Sequence, residues 1–255
     1  MKFNKPYFIA STSNEAREQK DLLVSKYGDF AVNDADIFIV LGGDGFMLQA
    51  IKDFMDKKIP FFGINYGSIG FLMNSVTDDD LIIRVNEAQS VQLSPLVMTA
   101  YDKDDSFHTA KAINEVSLLR ERYQAAKVKI YVDGKERLKE LICDGLLLST
   151  PAGSTAYNLS AHGPILPLTS NLLALTPISA FRPRRWKGAL LPRNAKVRIN
   201  ILEKNKRPVS VVADNSEFRD IDYVEISEDK DIQLKMLFDP KTNLEERIIN
   251  EQFIY

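Results

Sequence analysis

At 255 residues the chain has room for one or two domains, each large enough to bury a core without disulfides or a structural metal. Its 33 Lys and Arg nearly balance 35 Asp and Glu, and the net charge of −2 excludes the broad positive field of a nucleic-acid or membrane-surface protein. A single cysteine, Cys143, excludes an intramolecular disulfide. With no apolar run of membrane-spanning length and no apolar h-region near the N-terminus, a cytoplasmic location without a membrane is expected.

Pro6 to Ala10 reads as a short apolar strand, and Ser11 to Asn14 supply cap residues for a helix carrying Leu22, Leu23 and Tyr27 on one side. From Asp36 a run that is apolar through Leu41 predicts a strand buried on both faces, and Met47, Leu48, Ile51, Phe54 and Met55 follow at helical spacing. The period switches at Gly42-Gly43-Asp44-Gly45. Ile59 to Ile64 is a further buried strand, ending in a second glycine loop, Asn65 to Phe71. Asp78, Asp79 and Asp80 then open a helix through Leu81, Ile82 and Val85, an acidic start that suits the helix dipole. Strands alternating with helices predict a parallel sheet, with ligands gathered beyond the carboxyl ends of its strands, where both glycine loops would lie.

After about Val91 the texture changes. Val91 to Tyr101, Phe107 to Leu119 and Ala125 to Val132 are strand-like, the first two parted by a polar turn at Asp102 to Ser106, and Asp133-Gly134 is a hairpin signal. Alternation returns at Val197, Ile199 and Ile201 and again at Ile232, Leu234, Met236 and Phe238. The expected architecture is α/β plus all-β. An N-terminal Rossmann-like parallel-sheet domain would span 1–90 and a C-terminal, β-sandwich-like domain 91–239, with a helical tail at Asn243 to Asn250.

Three stretches carry candidate chemistry. A strand that stops at Gly42-Gly43, shows the carboxylate of Asp44 and restarts at Gly45 as a helix leaves unpaired amides at the helix start, where a polyphosphate or ribose fits. The alternative is a tight Asp-Gly turn, although such turns mostly join two strands. Asn114 and Glu115 interrupt an apolar strand and need partners if buried; a ligand would satisfy them, and so would water at a bulge or strand end. Asp144, set between Leu141-Ile142-Cys143 and Gly145-Leu146-Leu147-Leu148, is either a turn aspartate or a ligand contact. The basic segment Phe181 to Gly188 reads as a solvated loop or a subunit contact. Two histidines and one cysteine, none closely spaced, give no zinc pattern. There is no GxxxxGK(S/T) P-loop and no His-Arg-Asp catalytic loop, which excludes those two kinase classes.

Gly42-Gly43-Asp44-Gly45 resembles the GGDG signature shared by NAD kinases, phosphofructokinases and diacylglycerol or sphingosine-type lipid kinases. Asn114-Glu115, and then Asp144-Gly145 with Thr150 to Ser160, resemble in order the second and third signatures of the NAD kinases. The similarity runs from near Ile37 to about Asn215, in a chain as long as a compact bacterial member. It implies transfer of the ATP γ-phosphoryl group to the 2′-hydroxyl of the adenosine ribose of NAD, giving NADP. Asp44 would accept the hydroxyl proton, and Gly42, Gly43 and Gly45 would approach phosphates. The implied NAD-binding positions are Asp44, Gly45, Phe71, Asn114, Glu115, Asp144, Ala152, Thr155, Ala156, Tyr157, Asn158, Leu159, Ser160 and Asn215. Thr155 and Ser160 offer hydroxyl donors and Tyr157 a stacking face.

The resemblance further implies Mg²⁺ or another divalent metal arriving with ATP, held largely by phosphate and water. It implies a homodimer or homotetramer with the Asp144 region near a neighbouring chain, and a tail over 240–255 that returns to the first domain. Two residues depart from the family pattern: Ala152 stands where members often carry Thr or Ser, and His162 where a second glycine is common. The competing readings are another GGDG kinase of the lipid-kinase type, disfavoured by the lack of a membrane-seeking segment, and a non-catalytic dinucleotide sensor, disfavoured by the retained Asp44.

Overall fold

The apolar run at Ile37 forms the strand expected of it. In the computed structural model, which describes residues 3–67, 70–102, 106–184, 186–240, 249, 252 and 253, β1 (Pro6–Ala10), β2 (Ile37–Gly42) and β3 (Phe61–Asn65) are parallel neighbours, and every residue of β2 is buried. Helix α1 (Asn14–Tyr27) starts at Ser13, whose hydroxyl accepts the Ala16 amide. Its packed face differs from the expected one by part of a turn. Leu22 is 62% exposed, whereas Ala16, Leu23, Val24 and Tyr27 meet the core, because Leu22 points about 100° away from Leu23. Helix α2 (Asp44–Phe54) follows β2 directly, and α3 (Leu81–Glu87) is capped by Asp80, whose carboxylate accepts the amides of Ile82 and Ile83.

The chain divides into two compact units, residues 1–93 with 231–255, and residues 94–230. The first contains β4 (Gln89–Leu93) and β17 (Leu234–Phe238), and its five-stranded sheet runs in the order β1, β2, β3, β17, β4. The strand at 234–238 was expected in the β-rich half. Alternation reveals which residues of a strand face a core, not which sheet the strand joins, and this one enters the first sheet parallel to β3 and antiparallel to β4. Apart from Ile249, the helix expected over Asn243 to Asn250 lies outside the described residues.

The second unit is antiparallel. β5 (Leu96–Asp102), β6 (Phe107–Ala112), β7 (Glu115–Arg120), β8 (Ala126–Val132), β9 (Lys135–Cys143) and β10 (Gly145–Ser149) come first. β11 (Leu172–Ile178), β12 (Ala189–Pro192), β13 (Val197–Ile201), β14 (Val209–Ala213), β15 (Ser216–Phe218) and β16 (Ile221–Glu228) complete it. They form two six-stranded sheets, β12-β11-β10-β7-β14-β15 and β6-β5-β16-β13-β8-β9. Val116, Leu118, Leu146 and Leu148 of one share a core cluster with Met98, Ile130, Ile199 and Val224 of the other, as in a sandwich. Asp133 and Gly134, at φ 52° and 74°, make the expected two-residue hairpin.

In the first unit, β3 and β17 share a single register pair, Phe61 with Met236. Asn74, fully buried, fills the gap: its amide nitrogen donates to the Gly63 carbonyl (3.0 Å) and the Leu237 carbonyl (3.1 Å), and its oxygen accepts the Asp239 amide (2.9 Å). The Asp239 carboxylate in turn receives Arg84, at 3.1 Å from Nε and 2.6 Å from Nη2. Replacing Asn74 with Ala takes these partners from the Leu237 carbonyl and the Asp239 amide, each worth about 1–3 kcal/mol when unpaired, while the Gly63 carbonyl keeps the Asn74 backbone amide at 2.8 Å. Urea unfolding followed by circular dichroism should show Asn74→Ala destabilised by about 2 kcal/mol or more, and a loss below about 1 kcal/mol would contradict this role.

Candidate active site

In the first unit the glycine loops at the ends of β2 and β3 lie side by side. Tyr66 donates its amide to the Gly42 carbonyl at 2.8 Å, and a Cβ placed on Gly67 would lie 3.2 Å from the Gly43 Cα. Asp44, the first residue of α2, joins the loops through its carboxylate. One oxygen accepts the Phe71 amide at 2.7 Å and the other the Leu72 amide at 2.9 Å. The Phe71 ring itself is buried, 5% exposed, so the connection described for this residue is its backbone. Ser68 and Ile69, in the second loop, lie outside the described residues. Gly42 is required by packing, since a Cβ there would sit 2.9 Å from the Phe46 ring, whereas one on Gly45 would meet nothing within 4 Å. A glycine inside a helix costs up to about 1 kcal/mol relative to alanine, and no neighbour among the described residues explains it at Gly45.

In the second unit the expected strand from Phe107 to Leu119 is broken at Ile113-Asn114, where the chain leaves β6 in one sheet and enters β7 in the other. The amides freed by the break converge on Asp214, which sits at φ 51° in the two-residue turn between β14 and β15. Its carboxylate accepts Ile113 at 2.6 Å, Asn114 at 3.0 Å and Glu115 at 3.3 Å. Thr150 and Ser149 take up the carbonyls from the other side, and Gly153 packs so tightly that a Cβ would lie 2.2 Å from the Asn114 oxygen. Asp144, between β9 and β10, pairs with Arg120 at 2.6 Å. Tyr157 opens the short helix α4 (Tyr157–Ser160), and its phenol is raised chiefly by burial and then by the charges of Glu115 and Asp144, so these three groups share one environment.

The sequence reading has Asp214-Asn215 as a late position of the family pattern that lines the same pocket, but misses the part the Asp214 carboxylate plays at this corner, along with the parts of Arg120 and Thr150. The two-residue turn was a usable signal for Asp214, whereas Arg120 at a strand end looks like any exposed arginine.

The comparisons with known proteins cover both units. Residues 6–87 match the ATP-NAD kinase N-terminal domain, and residues 113–231 match the ATP-NAD kinase C-terminal domain. The chain belongs to the ATP-NAD kinase family. It is 54% identical over 246 residues to the NAD kinase of Caulobacter vibrioides, an overlap of 96% of this chain and 95% of the relative. The crystal structure of an NAD kinase from Archaeoglobus fulgidus in complex with ATP has a TM-score of 0.75 at 22% identity, covering 96% of each chain. The yeast NADH kinase complexed with NADH has a TM-score of 0.78 at 20% identity, covering 98% of this chain and 87% of the yeast one. At such identities the two structures speak for the fold, and they agree with the parallel sheet followed by antiparallel sheets.

Against the ATP-NAD kinase pattern, the departure at His162 has a backbone counterpart: its φ is 62°, a region glycine enters freely and histidine more readily than most residues. The departing Ala152 is buried. Asn158 is fully buried, its amide nitrogen donating to Ser154 and Pro164 carbonyls and its oxygen accepting the Thr176 hydroxyl, so its side chain holds the loop together. Thr155, Ala156 and Leu159 are half-buried, while Ser160 and Asn215 are exposed.

Glu115 is the electrostatic outlier. One of its carboxylate oxygens is buried with no hydrogen-bond partner among the described residues, and burial followed by the Asp214 charge pushes the group from 4.5 up to about 7. The folded state therefore binds more protons than the unfolded chain between these values, and stability falls as pH rises through that window. The unfolding free energy from urea titrations should drop between pH 5 and 7.5, by on the order of 2 kcal/mol, and Glu115→Gln should flatten that part of the slope. An identical pH profile in the variant would count against a buried, proton-binding Glu115.

Proposed function

We propose that the chain transfers the terminal phosphoryl group of ATP to the 2′-hydroxyl of the adenosine ribose of NAD, forming NADP. Membership of the ATP-NAD kinase family over nearly the whole chain supports this reaction. The observation that carries its chemistry is the Asp44 carboxylate, set at the start of α2 and clamped by the amides of Phe71 and Leu72. Such a group accepts the hydroxyl proton as the new P–O bond forms. Gly42, Gly43 and Gly45 let phosphates approach the α2 start, where first-turn amides favour anions, and the open space at Gly45 supports close approach. In the second unit, Asn114 and Glu115 hold the adenosine ribose, with Asp144, Ala152, Thr155, Ala156, Tyr157, Leu159, Ser160 and Asn215 completing the NAD contacts and Asn158 bracing their loop.

Among the described residues no three His, Cys, Asp or Glu side chains gather as a metal cage. The proposal therefore has a divalent metal such as Mg²⁺ arrive with ATP, held by its phosphates and water, where it would supply charge neutralisation. A cytoplasmic setting is part of the same proposal, supported by a lone, buried Cys143 whose thiol burial pushes up to about 12. No helix among the described residues is long and apolar enough to cross a membrane.

Assaying NADP formation from NAD and Mg-ATP tests the reaction and separates it from a lipid kinase or a silent sensor. Asp44→Asn should lower kcat by ~10²–10⁴ while NAD affinity by calorimetry and the circular dichroism spectrum persist. A folded variant keeping more than about a tenth of wild-type turnover would exclude Asp44 as the base. The active form is proposed to be a homodimer or homotetramer, for which exposed Tyr123, Phe181 and Leu190 offer apolar contact surface. Specific activity should fall on dilution, and a fully active monomer by light scattering would sink this.

A further inference from the structure

Every backbone polar group from Ile113 to Glu115 is held by groups outside that stretch. Asp214 takes the three amides, Thr150 and Ser149 take the carbonyls of Ile113 and Asn114, and the Asp214 amide donates to the Glu115 carbonyl. The corner is rigid before any ligand arrives, yet Glu115 keeps a buried carboxylate oxygen without a partner. Of the charged groups around it, Asp214 faces it from the β14–β15 turn, the Tyr157 phenol feels it from α4, and Asp144, also felt by Tyr157, is paired with Arg120. Among the described residues no cation pairs with Glu115.

We propose that Asp214 is a positioning residue for dinucleotide binding: it fixes the Asn114–Glu115 pair, and its negative charge makes engagement of the dinucleotide expel a proton from Glu115. This rests on the NAD-binding role given above to the pair. A buried carboxyl with an unpartnered oxygen beside a second carboxylate is favoured in its neutral form. Ribose hydroxyls donate hydrogen bonds, and donors at that oxygen favour the charged form. The Glu115 O–H bond is then the only covalent bond that breaks; the proton passes to buffer and the dinucleotide is unchanged.

Calorimetric titration of NAD into the full chain without ATP, in buffers of different ionisation enthalpy, counts the protons released. About half a proton per NAD is expected at pH 7, falling toward zero above about pH 8.5. Glu115→Gln should bind NAD more weakly and release none. Asp214→Asn should move the release to lower pH and raise KM for NAD at least about tenfold with a smaller change in kcat. A purely structural Asp214 would leave the pH of release in place, and that outcome overturns the charge coupling. Buffer-independent wild-type enthalpy, or an unchanged proton count in Glu115→Gln, overturns the whole inference, so the result stands even where Asp214→Asn does not fold. Failure of wild type to bind NAD would instead strike the proposed function, whereas NAD binding and NADP formation without proton release would remove this inference alone.

Discussion

Where a strand ends, its amides lose their ladder partners, and in this chain aspartate carboxylates take them up. Asp214 collects three at the β6–β7 break, Asp44 two between the glycine loops, Asp80 two at the start of α3, and Asp36 those of Asn4 and Lys5. A fully buried amide left without an acceptor would cost about 1–3 kcal/mol; these amides are part-buried or exposed, so each carboxylate contributes less than that while still tying its loop in place. The arrangement also decides where negative charge sits. It lies at strand ends and helix starts, the parts of both units from which candidate site residues project.

That placement divides the electrostatic labour. In the second unit Glu115 and Asp144 both act on the Tyr157 phenol, Asp214 acts on Glu115, and the described cation among them, Arg120, is already engaged by Asp144. Such an environment suits hydroxyl and amino donors and repels phosphates. In the first unit the start of α2 and the glycine loops offer backbone amides to anions. Under the proposed function, the phosphate donor and the dinucleotide would therefore meet opposite kinds of surface.

Much of this was legible from sequence where the signal is local. The two-faced burial of β2, the Ser13 cap and the Asp133-Gly134 hairpin follow from composition over a few residues, and the ordered Asp44, Asn114-Glu115 and Asp144 motifs pointed to the family that the domain matches bear out. What escaped depends on distant partners. Nothing near Leu234 says that its strand belongs with β3, nothing near Asn74 says that it bridges a gap in a sheet, and the continuity of apolar residues around Ile113 concealed a change of sheet. Asn158 looked like a ligand contact by its place in a motif, whereas its side chain is spent on Ser154, Pro164 and Thr176.

The entry of β17 between β3 and β4 makes the first unit discontinuous along the chain. During synthesis, β1, β2 and β3 emerge early, but the strand that separates β3 from β4 is made only after all of the second unit. Until then β3 presents an open, apolar edge, the kind of surface that invites pairing with other chains. The second unit, contiguous from Ser94 to Lys230, has all its strands in hand before that edge is closed. Folding of the Asp44 half therefore waits on the last of the described strands, which ties its completion to prior synthesis of the whole second unit.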